Sequence, residues 1–443
     1  MLTILGLSMI GCFMFLIMTK RLSALIALII IPILFATLAA WLGQYVDSLS
    51  HIHLSGLGDM TLDGIKKLAP TGVMLLFAIM YFALMIDTGL FDPSVKWILR
   101  KVKGDPLKIT LGTVFLTLTV SLDGDGSTTY MICVAAMLPL FQRLGMNPLI
   151  MTSLMLLSSG VMNLTPWGGP TARAASALQI DPSDIFVPMI PSMIIAIVWL
   201  FILAYLYGRY ERKRLGVIQL NTDHGDAISI SKDPSAQRPH LRWFNGILTV
   251  VLMAALVKGI LPMPVLFMIA FCIAMLVNYP QLDMQKKRIA MHADSVLAVV
   301  GLIFAAGIFT GILSGTGMVD AMSKEFVAII PKSLGPYSAP ITAIMSMPLT
   351  FFMSNDAFYY GMLPILSEAA AHYGVSPVEM ARASIVGQPV HLLSPLVPST
   401  YLLCGLAGVE FADHQRFTLK WAIITSGVLL MSALVLGVFP LIA

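Results

Sequence analysis

Apolar runs of about 20 residues recur along most of this chain, and a helix of that length crosses the hydrocarbon core of a bilayer, which is about 30 Å thick. Only 11% of the residues are charged, whereas a soluble domain averages about 25%. A water-soluble fold is therefore excluded. The sequence predicts an all-α polytopic protein of the cell's inner (plasma) membrane.

Ten membrane spans are predicted, five in each half of the chain. They cover residues 2–18, 23–44, 69–91, 147–178, 184–208, 243–259, 263–280, 292–315, 379–407 and 418–441. With the N-terminus outside, most of the 27 Lys and Arg residues lie on the cytoplasmic side, as the positive-inside rule requires. The polar stretch 209–242 then becomes a cytoplasmic linker between a first half, 1–208, and a second half, 243–443.

Two further apolar stretches, 106–143 and 336–371, are each interrupted by a polar segment, Ser121 to Thr129 in the first and Ser354 to Asp356 in the second. Each arm is roughly 16 residues, or about 24 Å of helix, which passes the midplane of the bilayer but hardly leaves it. A re-entrant hairpin with a polar tip is predicted for each stretch. The alternative is two short spans joined by an exposed loop.

The two halves also share short sequence blocks at a nearly constant offset. Residues 88–92 reappear at 316–320, and residues 145–148 at 374–377. An odd number of spans per half inverts the second copy relative to the first. The fold class predicted is thus two inverted repeats of five transmembrane helices, each with a re-entrant hairpin and a broken helix. Such repeats place a substrate site at the midplane of the bilayer.

Three carboxylates lie in the predicted hairpin tips, Asp123 and Asp125 in the first and Asp356 in the second. A carboxylate at membrane depth costs about 2.5–3.5 kcal/mol on insertion scales, so it needs a partner or a wet cavity. The glycines beside Asp123 and Asp125 let the backbone approach a ligand closely. Helix capping at a tight turn is the alternative explanation for these Asp, Asn and Ser residues.

Prolines break the fourth and ninth predicted spans. They occur in Asn163-Leu164-Thr165-Pro166-Trp167-Gly168-Gly169-Pro170-Thr171 and in Ser394-Pro395-Leu396-Val397-Pro398-Ser399-Thr400. Each proline removes a backbone hydrogen bond, which is expected to free the carbonyls of Met162, Pro166, His391 and Ser394. Such carbonyls can hold a cation, and the helix N-termini beside them can face an anion. A plain kink is the alternative.

Two ionisable residues flank these breaks, Arg173 just after the first and His391 just before the second. Arg173 is a candidate for clamping a carboxylate, or it lies at the outer interface. His391 is a candidate proton relay, or it is a packed core histidine.

The segments LDGDGSTTY, MSNDAF, NLTPWGGPT and SPLVPST together resemble the citrate–metal–proton symporter family of the ion-transporter superfamily. The resemblance covers essentially the whole chain. It implies uptake of citrate as a complex with a divalent metal such as Mg²⁺ or Ca²⁺, driven by protons. It also implies an elevator movement of hairpins and broken helices against a scaffold, and a homodimer. Sodium–dicarboxylate relatives carry Ser-Asn-Thr at both tips, and the carboxylates found here instead favour a divalent cation or a proton.

On this hypothesis polar side chains and glycines of the tips and breaks bind the citrate. The substrate-binding set is Ser127, Thr128, Asn163, Thr165, Gly168, Gly169, Thr171, Asn355, Ser394, Ser399 and Thr400. Asp123, Asp125 and Asp356 contact the metal, and Arg173 and His391 are the coupling candidates. A symporter of another organic acid, such as gluconate or tricarballylate, and a Na⁺/H⁺ exchanger or channel remain alternatives.

Other function classes find no support in the residues. Basic residues are not interleaved with aromatics as in nucleic-acid-binding proteins. The four cysteines form no CxxC pair, so a disulfide framework or a thiolate metal site is not expected. No P-loop, HExxH or Ser/His/Asp arrangement appears in the sequence, so the chain is not expected to be an enzyme or to hold a permanent cofactor.

Overall fold

A computed structural model describes residues 1–19, 21–43, 49, 52–93, 104–124, 126–217, 234–329 and 333–443 of the chain. These residues form helices joined by short turns, and no β-strand occurs among them. The all-α prediction is confirmed.

The helices of the first half run from the N-terminus to residue 215. Among the described residues they are α1 (Leu2–Met18), α2 (Ala24–Leu42), α3 (Leu57–Asp87), α4 (Pro106–Val120), α5 (Gly126–Leu144), α6 (Pro148–Met162), α7 (Gly169–Leu178) and α8 (Pro182–Leu215).

The helices of the second half begin at residue 242. They are α9 (Arg242–Lys258), α10 (Met263–Asn278), α11 (Leu282–Gly315), α12 (Met318–Ile329), α13 (Ser338–Phe352), α14 (Leu363–Ala371), α15 (Pro377–Ser384), α16 (Gln388–His391), α17 (Pro398–Ala407) and α18 (Phe411–Val435). A π-helix, Ala357–Met362, precedes α14 directly.

Six helices of the described residues are long and apolar enough to cross a membrane, namely α2, α3, α8, α9, α11 and α18. Helices α1 and α10 are apolar but shorter. The fourth and ninth predicted spans are divided into short helices by the breaks at 163–168 and 392–397. Multiple membrane spans are confirmed, while the count of ten stays a prediction.

Helix starts recur at corresponding positions of the two halves. Pro148 and Pro377 begin matching helices, and each follows a side chain that caps the helix, Asn147 and Ser376. A proline at the first helical position has a preset φ and lacks only an N–H that would have no partner there. The common register supports the predicted repeat, and the inverted orientation of the second copy stays a prediction.

The first of two hydrophobic cores joins α1, α2, α3 and α9–α12, which we call the scaffold unit. Helices α3 and α11 cross closely at its centre. A Cβ on Gly64 of α3 would lie 2.0 Å from the carbonyl oxygen of Gly307 on α11. Small residues of this kind let helix backbones approach closely in a membrane.

The second hydrophobic core joins α4–α8 and α13–α18, which we call the hairpin unit. It contains the two stretches predicted as hairpins, formed by α4 with α5 and by α13 with the π-helix and α14, and their re-entrant path in a membrane stays a prediction. Trp167, Ala172, Ala177, Tyr360 and Ile365 belong to elements of the hairpin unit but pack into the core of the scaffold unit. These residues contribute to the contact between the two units.

Several boundaries differ from the prediction. Helix α8 continues to Leu215, beyond the predicted start of the linker at residue 209. Residues 218–233 of the linker lie outside the described residues. The linker's end contacts the scaffold unit, because the Arg238 backbone N–H donates to the Thr88 carbonyl across 3.0 Å. Helix α12 falls between the predicted eighth span and the second hairpin and was not expected.

Candidate functional site

The first hairpin reverses at a 3₁₀ turn, Ser121–Asp123, that ends in Gly124 with φ of +77°. Residues with a side chain rarely adopt this backbone conformation, and a Cβ at Gly124 would lie 3.0 Å from Cδ1 of Trp167. Glycine is therefore favoured at the tip for two reasons. Asp125 and the side chain of Asp123 lie outside what the structure describes, so their metal role stays a prediction. Ser127 and Thr128 occupy the first turn of α5 and are half-buried.

The first break, between α6 and α7, is a tight turn. The Gly168 N–H donates to the Thr165 carbonyl across 2.8 Å, and the Gly169 N–H donates to Asn163 Oδ1 across 3.3 Å. A Cβ on Gly168 would lie 1.9 Å from the carbonyl oxygen of Asn163, so no larger residue fits that turn. The Thr165 hydroxyl is buried and has no hydrogen-bond partner among the described residues.

Two matched threonines close the breaks from the following helices. The Thr171 hydroxyl donates to the Leu164 carbonyl across 3.0 Å, and the Thr400 hydroxyl donates to the Leu392 carbonyl across 2.5 Å. Both side chains are fully buried. Their hydroxyl protons therefore stabilise the broken backbone, and their predicted contact with a substrate remains untested.

The carbonyls that the prolines were expected to free are mostly occupied. The carbonyl of Met162 accepts a hydrogen bond from the Thr165 N–H, that of His391 from the Ser394 N–H, and that of Ser394 from the Val397 N–H. Each of these carbonyls thus accepts a hydrogen bond within a turn, in place of the helical bond that the proline removes. Fewer open carbonyls are thus available for a cation than the proline pattern suggests.

The first hairpin tip contacts the breaks of both halves. The Trp167 indole N–H in the first break donates to the Leu122 carbonyl across 2.9 Å. Helix α5, which leaves the tip, packs along α17 of the second half. A Cβ on Gly126 would lie 3.4 Å from Oγ and 3.6 Å from Cβ of Ser399.

The second hairpin is attached to the second break by its first arm. His391 Nδ1 lies 2.6 Å from the Thr350 carbonyl oxygen, which the ring N–H can donate to. The Ser394 hydroxyl donates to the Phe351 carbonyl across 2.6 Å. His391 is only 6% exposed, an arrangement that matches the packed-histidine alternative, while a relay role remains untested.

The second tip also contacts α7 of the first half. Arg173 Nε donates to Asp356 Oδ1 across 2.6 Å, and the two side chains are 23% and 16% exposed. Next to this pair, the hydroxyls of Ser176 and Tyr360 lie 3.0 Å apart. Arg173 therefore contacts the second hairpin tip, and whether it acts in coupling or lies at the outer interface remains untested.

Sequence reasoning missed Gln388, which is fully buried beside the second tip. Its amide N–H₂ contacts Asn355 Oδ1 at 3.3 Å and the Tyr359 hydroxyl at 3.0 Å. Its Oε1 has no hydrogen-bond partner among the described residues. A glutamine in the apolar run before the break was the available signal. Within the described residues, no group of three or more His, Cys, Asp or Glu side chains is arranged to hold a metal ion.

Comparison with known families agrees with this architecture. A model of the citrate transporter family matches residues 13–387, which is most of the chain. The chain belongs to the citrate transporter family. Membership makes it a membrane transporter and not an enzyme, as the residues predicted.

Curated relatives in the citrate transporter family match the full chain. A Bacillus subtilis (strain 168) protein named "Citrate transporter" is 58% identical over 441 residues, covering 99% of each chain. A second protein of the same strain, named "Mg(2+)/citrate complex secondary transporter", is 52% identical over 438 residues, again covering 99% of each chain.

Solved structures of two other transporters share the fold. The Alcanivorax borkumensis YdaH transporter superposes with a TM-score of 0.55 at 15% identity, covering 88% of this chain and 90% of its own. Neisseria gonorrhoeae MtrF, described with a class of antimetabolite efflux pumps, gives a TM-score of 0.57 at 13% identity, covering 87% and 84%. At these identities the likeness concerns the fold alone.

Proposed function

We propose that this protein is a secondary active transporter of the bacterial inner membrane that takes up citrate as a complex with a divalent cation, in symport with protons. One observation carries the proposal: each hairpin tip contacts both broken helices. Leu122 meets Trp167 and Gly126 meets Ser399 at the first tip, while Phe351 meets Ser394 and Asp356 meets Arg173 at or beside the second. In the proposal these contacts bring polar groups of both halves around one substrate position.

The chemistry of this position suits a metal–carboxylate substrate. Hydroxyl, amide and carboxylate oxygens are the ligands that Mg²⁺ and Ca²⁺ take, and Arg173 is a cation that can hold a carboxylate. The relative that is named for a Mg²⁺/citrate complex shares 52% identity over the full length. We assign Asp123, Asp125 and Asp356 to the metal, the predicted substrate-binding set to citrate, and Arg173 and His391 to coupling.

The division into two hydrophobic cores supports an elevator movement. The hairpins and broken helices belong to the hairpin unit, whereas α1, α2, α9 and α10 belong to the scaffold unit. In the proposal the hairpin unit carries the substrate along the α3–α11 face of the scaffold unit. The protein acts as a homodimer, which light scattering of the purified protein in detergent tests.

Uptake of labelled citrate into proteoliposomes tests the proposed function. We expect saturable accumulation that requires Mg²⁺ or Ca²⁺, rises with an acidic exterior and disappears when a protonophore collapses the pH gradient. Uptake that is unaffected by a chelator would contradict the metal-complex substrate. Uptake that is unaffected by the protonophore would contradict proton symport, and flux without saturation or accumulation would indicate a channel.

A further inference from the structure

The ion pair between Arg173 and Asp356 joins α7 of the first half to the second hairpin tip. Its contact is a single one, Nε to Oδ1 at 2.6 Å. Arg173 Nη1 also donates to the Gly169 carbonyl across 3.1 Å. The second carboxylate oxygen of Asp356 accepts no hydrogen bond from the described part of the chain. Since the side chain is 16% exposed, that oxygen is open to a ligand.

Within the described residues, Arg173 and Asp356 form an ion pair only with each other. No other acidic side chain pairs with Arg173, and no other basic side chain pairs with Asp356. Removing one member of a partly buried ion pair leaves the other as an uncompensated charge, which is strongly unfavourable. A ligand that engages one member must therefore supply a replacement charge to the other at the same time.

The substrate classes differ in whether they can do so. The only charges of free citrate are its carboxylates, which suit Arg173 but are repelled by Asp356. A bare divalent cation suits Asp356 but is repelled by Arg173. A metal–citrate complex presents a cation and carboxylates within one molecule.

We propose that the Arg173–Asp356 pair selects the metal-loaded form of the substrate by opening around it. Asp356 transfers from the guanidinium to the metal, and Arg173 transfers to a citrate carboxylate. This inference rests on the proposed function. It adds a reason why citrate must carry a metal, which is that Asp356 needs a cation when it leaves Arg173. The absence of a side chain at Gly169 leaves room for the Arg173 guanidinium, because a Cβ there would lie 3.0 Å from Arg173 Nη1.

The test uses the full-length protein with Asp356→Asn in proteoliposomes. Labelled citrate uptake is measured with excess Mg²⁺ and with EDTA, and the ratio of the two rates is compared with that of the wild type. The variant removes the charge that holds the metal and repels the free acid, while Arg173 stays available for a carboxylate. We expect the Mg²⁺-to-EDTA ratio to fall at least about 10-fold, which corresponds to about 1.4 kcal/mol. Asp59→Asn, a change of an exposed carboxylate at the start of α3, should keep the wild-type ratio.

If a variant folds but does not transport citrate, its binding of citrate is measured instead. Calorimetry of purified Asp356→Asn with citrate should show affinity that no longer depends on Mg²⁺. A variant that binds or transports with the wild-type Mg²⁺ dependence overturns the inference, and so does a folded variant that binds neither form. If Asp356→Asn does not fold, Arg173→Gln replaces it. It should bind the Mg²⁺–citrate complex more weakly than the wild type but still more tightly than citrate in EDTA, and equal affinities for the two forms overturn the inference.

The reversed pair Arg173→Asp with Asp356→Arg separates selection from a structural role. A pair that only joins the two halves would regain uptake with the wild-type ratio, which would overturn the inference. We expect the reversed pair to restore thermal stability without restoring uptake. Failure of the proposed function is recognised separately, because wild-type uptake would then be absent or independent of metal before any variant is compared.

Discussion

The indole Nε1 of Trp167 donates a hydrogen bond to the carbonyl oxygen of Leu122 across 2.9 Å, and the same ring packs into the scaffold unit. Its centroid lies 5.1 Å from that of Phe82 on α3 and 5.2 Å from that of Phe267 on α10. One side chain therefore contacts the first hairpin tip and the scaffold unit at once. Its position makes the geometry of the tip depend on the contact between the two units.

Trp167→Phe should keep most of the aromatic packing and remove the hydrogen bond to the tip. A hydrogen bond contributes about 0.5–1.5 kcal/mol net, so we expect citrate binding in the presence of Mg²⁺ to weaken about 2- to 10-fold. Calorimetry of the purified protein measures the change. Trp243→Phe, at a residue that is 86% exposed, is the matched control. Equal affinity in both variants would contradict a role for the bond.

The helix–turn–helix stretches and the breaks could be located from sequence because the membrane fixes where polar residues can occur, while the re-entrant path of the hairpins stays a prediction. The stretch predicted as the first hairpin, 106–143, has nearly the same bounds as α4 and α5, which run from Pro106 to Leu144. Helix ends outside the apolar runs were harder to predict. Helix α3 begins at Leu57 rather than at residue 69, since its first turns carry the exposed residues Asp63 and Lys66 and hydropathy identifies only the apolar part of a helix.

The contacts within the site were beyond sequence reasoning because they join residues far apart in the chain. Arg173 could be placed near a break from sequence, but its partner Asp356 follows from the packing of α7 against the second hairpin. Likewise, the sequence identifies Thr171 and Ser394 only as polar residues near a break. Their hydroxyls donate to backbone carbonyls, a use that depends on the exact path of the turn.

Because α3 and α11 cross closely at Gly64, a larger residue at this position is expected to destabilise the protein. A Cβ there would lie 2.0 Å from the Gly307 carbonyl oxygen, so Gly64→Ala must separate the two backbones. Overpacking of this kind typically costs about 1–3 kcal/mol, and we expect a lower thermal unfolding midpoint in detergent. Gly58→Ala lies on the same helix with no atom within 4 Å of the added Cβ and should leave the midpoint unchanged. Equal midpoints for the two variants would show that the helices are not in close contact.

Asp105, directly before the first helix of the first hairpin, is expected to make stability depend on pH. Its carboxylate caps α4 by accepting from the Leu107 N–H at 3.0 Å, and it accepts from Arg212 Nε at 2.9 Å. Burial alone would raise the pKa of Asp105, but the bonds from Arg212 and Leu107 outweigh burial and hold the pKa below its ordinary value. A depressed carboxylate pKa stabilises the fold above the unfolded pKa of about 3.9, and that contribution is lost as the pH falls through the folded pKa.

Asp105→Asn should therefore lower the unfolding midpoint at neutral pH. Its difference from the wild type should shrink as the pH falls below about 4, where the wild-type carboxylate takes up a proton. Thermal unfolding across a pH series measures this, with Asp283→Asn, an exposed residue at the start of α11, as the control. A difference that stays constant from neutral to acid pH would rule out the ionised pair as its source.

The proximity of the first hairpin tip to the second broken helix can be tested directly by cross-linking Gly126 to Ser399. A Cβ on Gly126 would lie 3.6 Å from the Ser399 Cβ, within the range of about 3.5–4.5 Å that a disulfide spans. Gly126→Cys and Ser399→Cys are combined in a background without Cys12, Cys133, Cys272 and Cys404. A protease site placed in the linker then separates the halves on a gel unless a disulfide joins them.

The paired control is Gly126→Cys with Gly405→Cys, further along α17, where no atom lies within 4 Å of the added Cβ. We predict that mild oxidation keeps the halves of the Gly126/Ser399 variant joined, that reduction releases them, and that the control pair separates in both conditions. Halves of the Gly126/Ser399 variant that separate after oxidation would contradict a shared site between the first hairpin tip and the second broken helix.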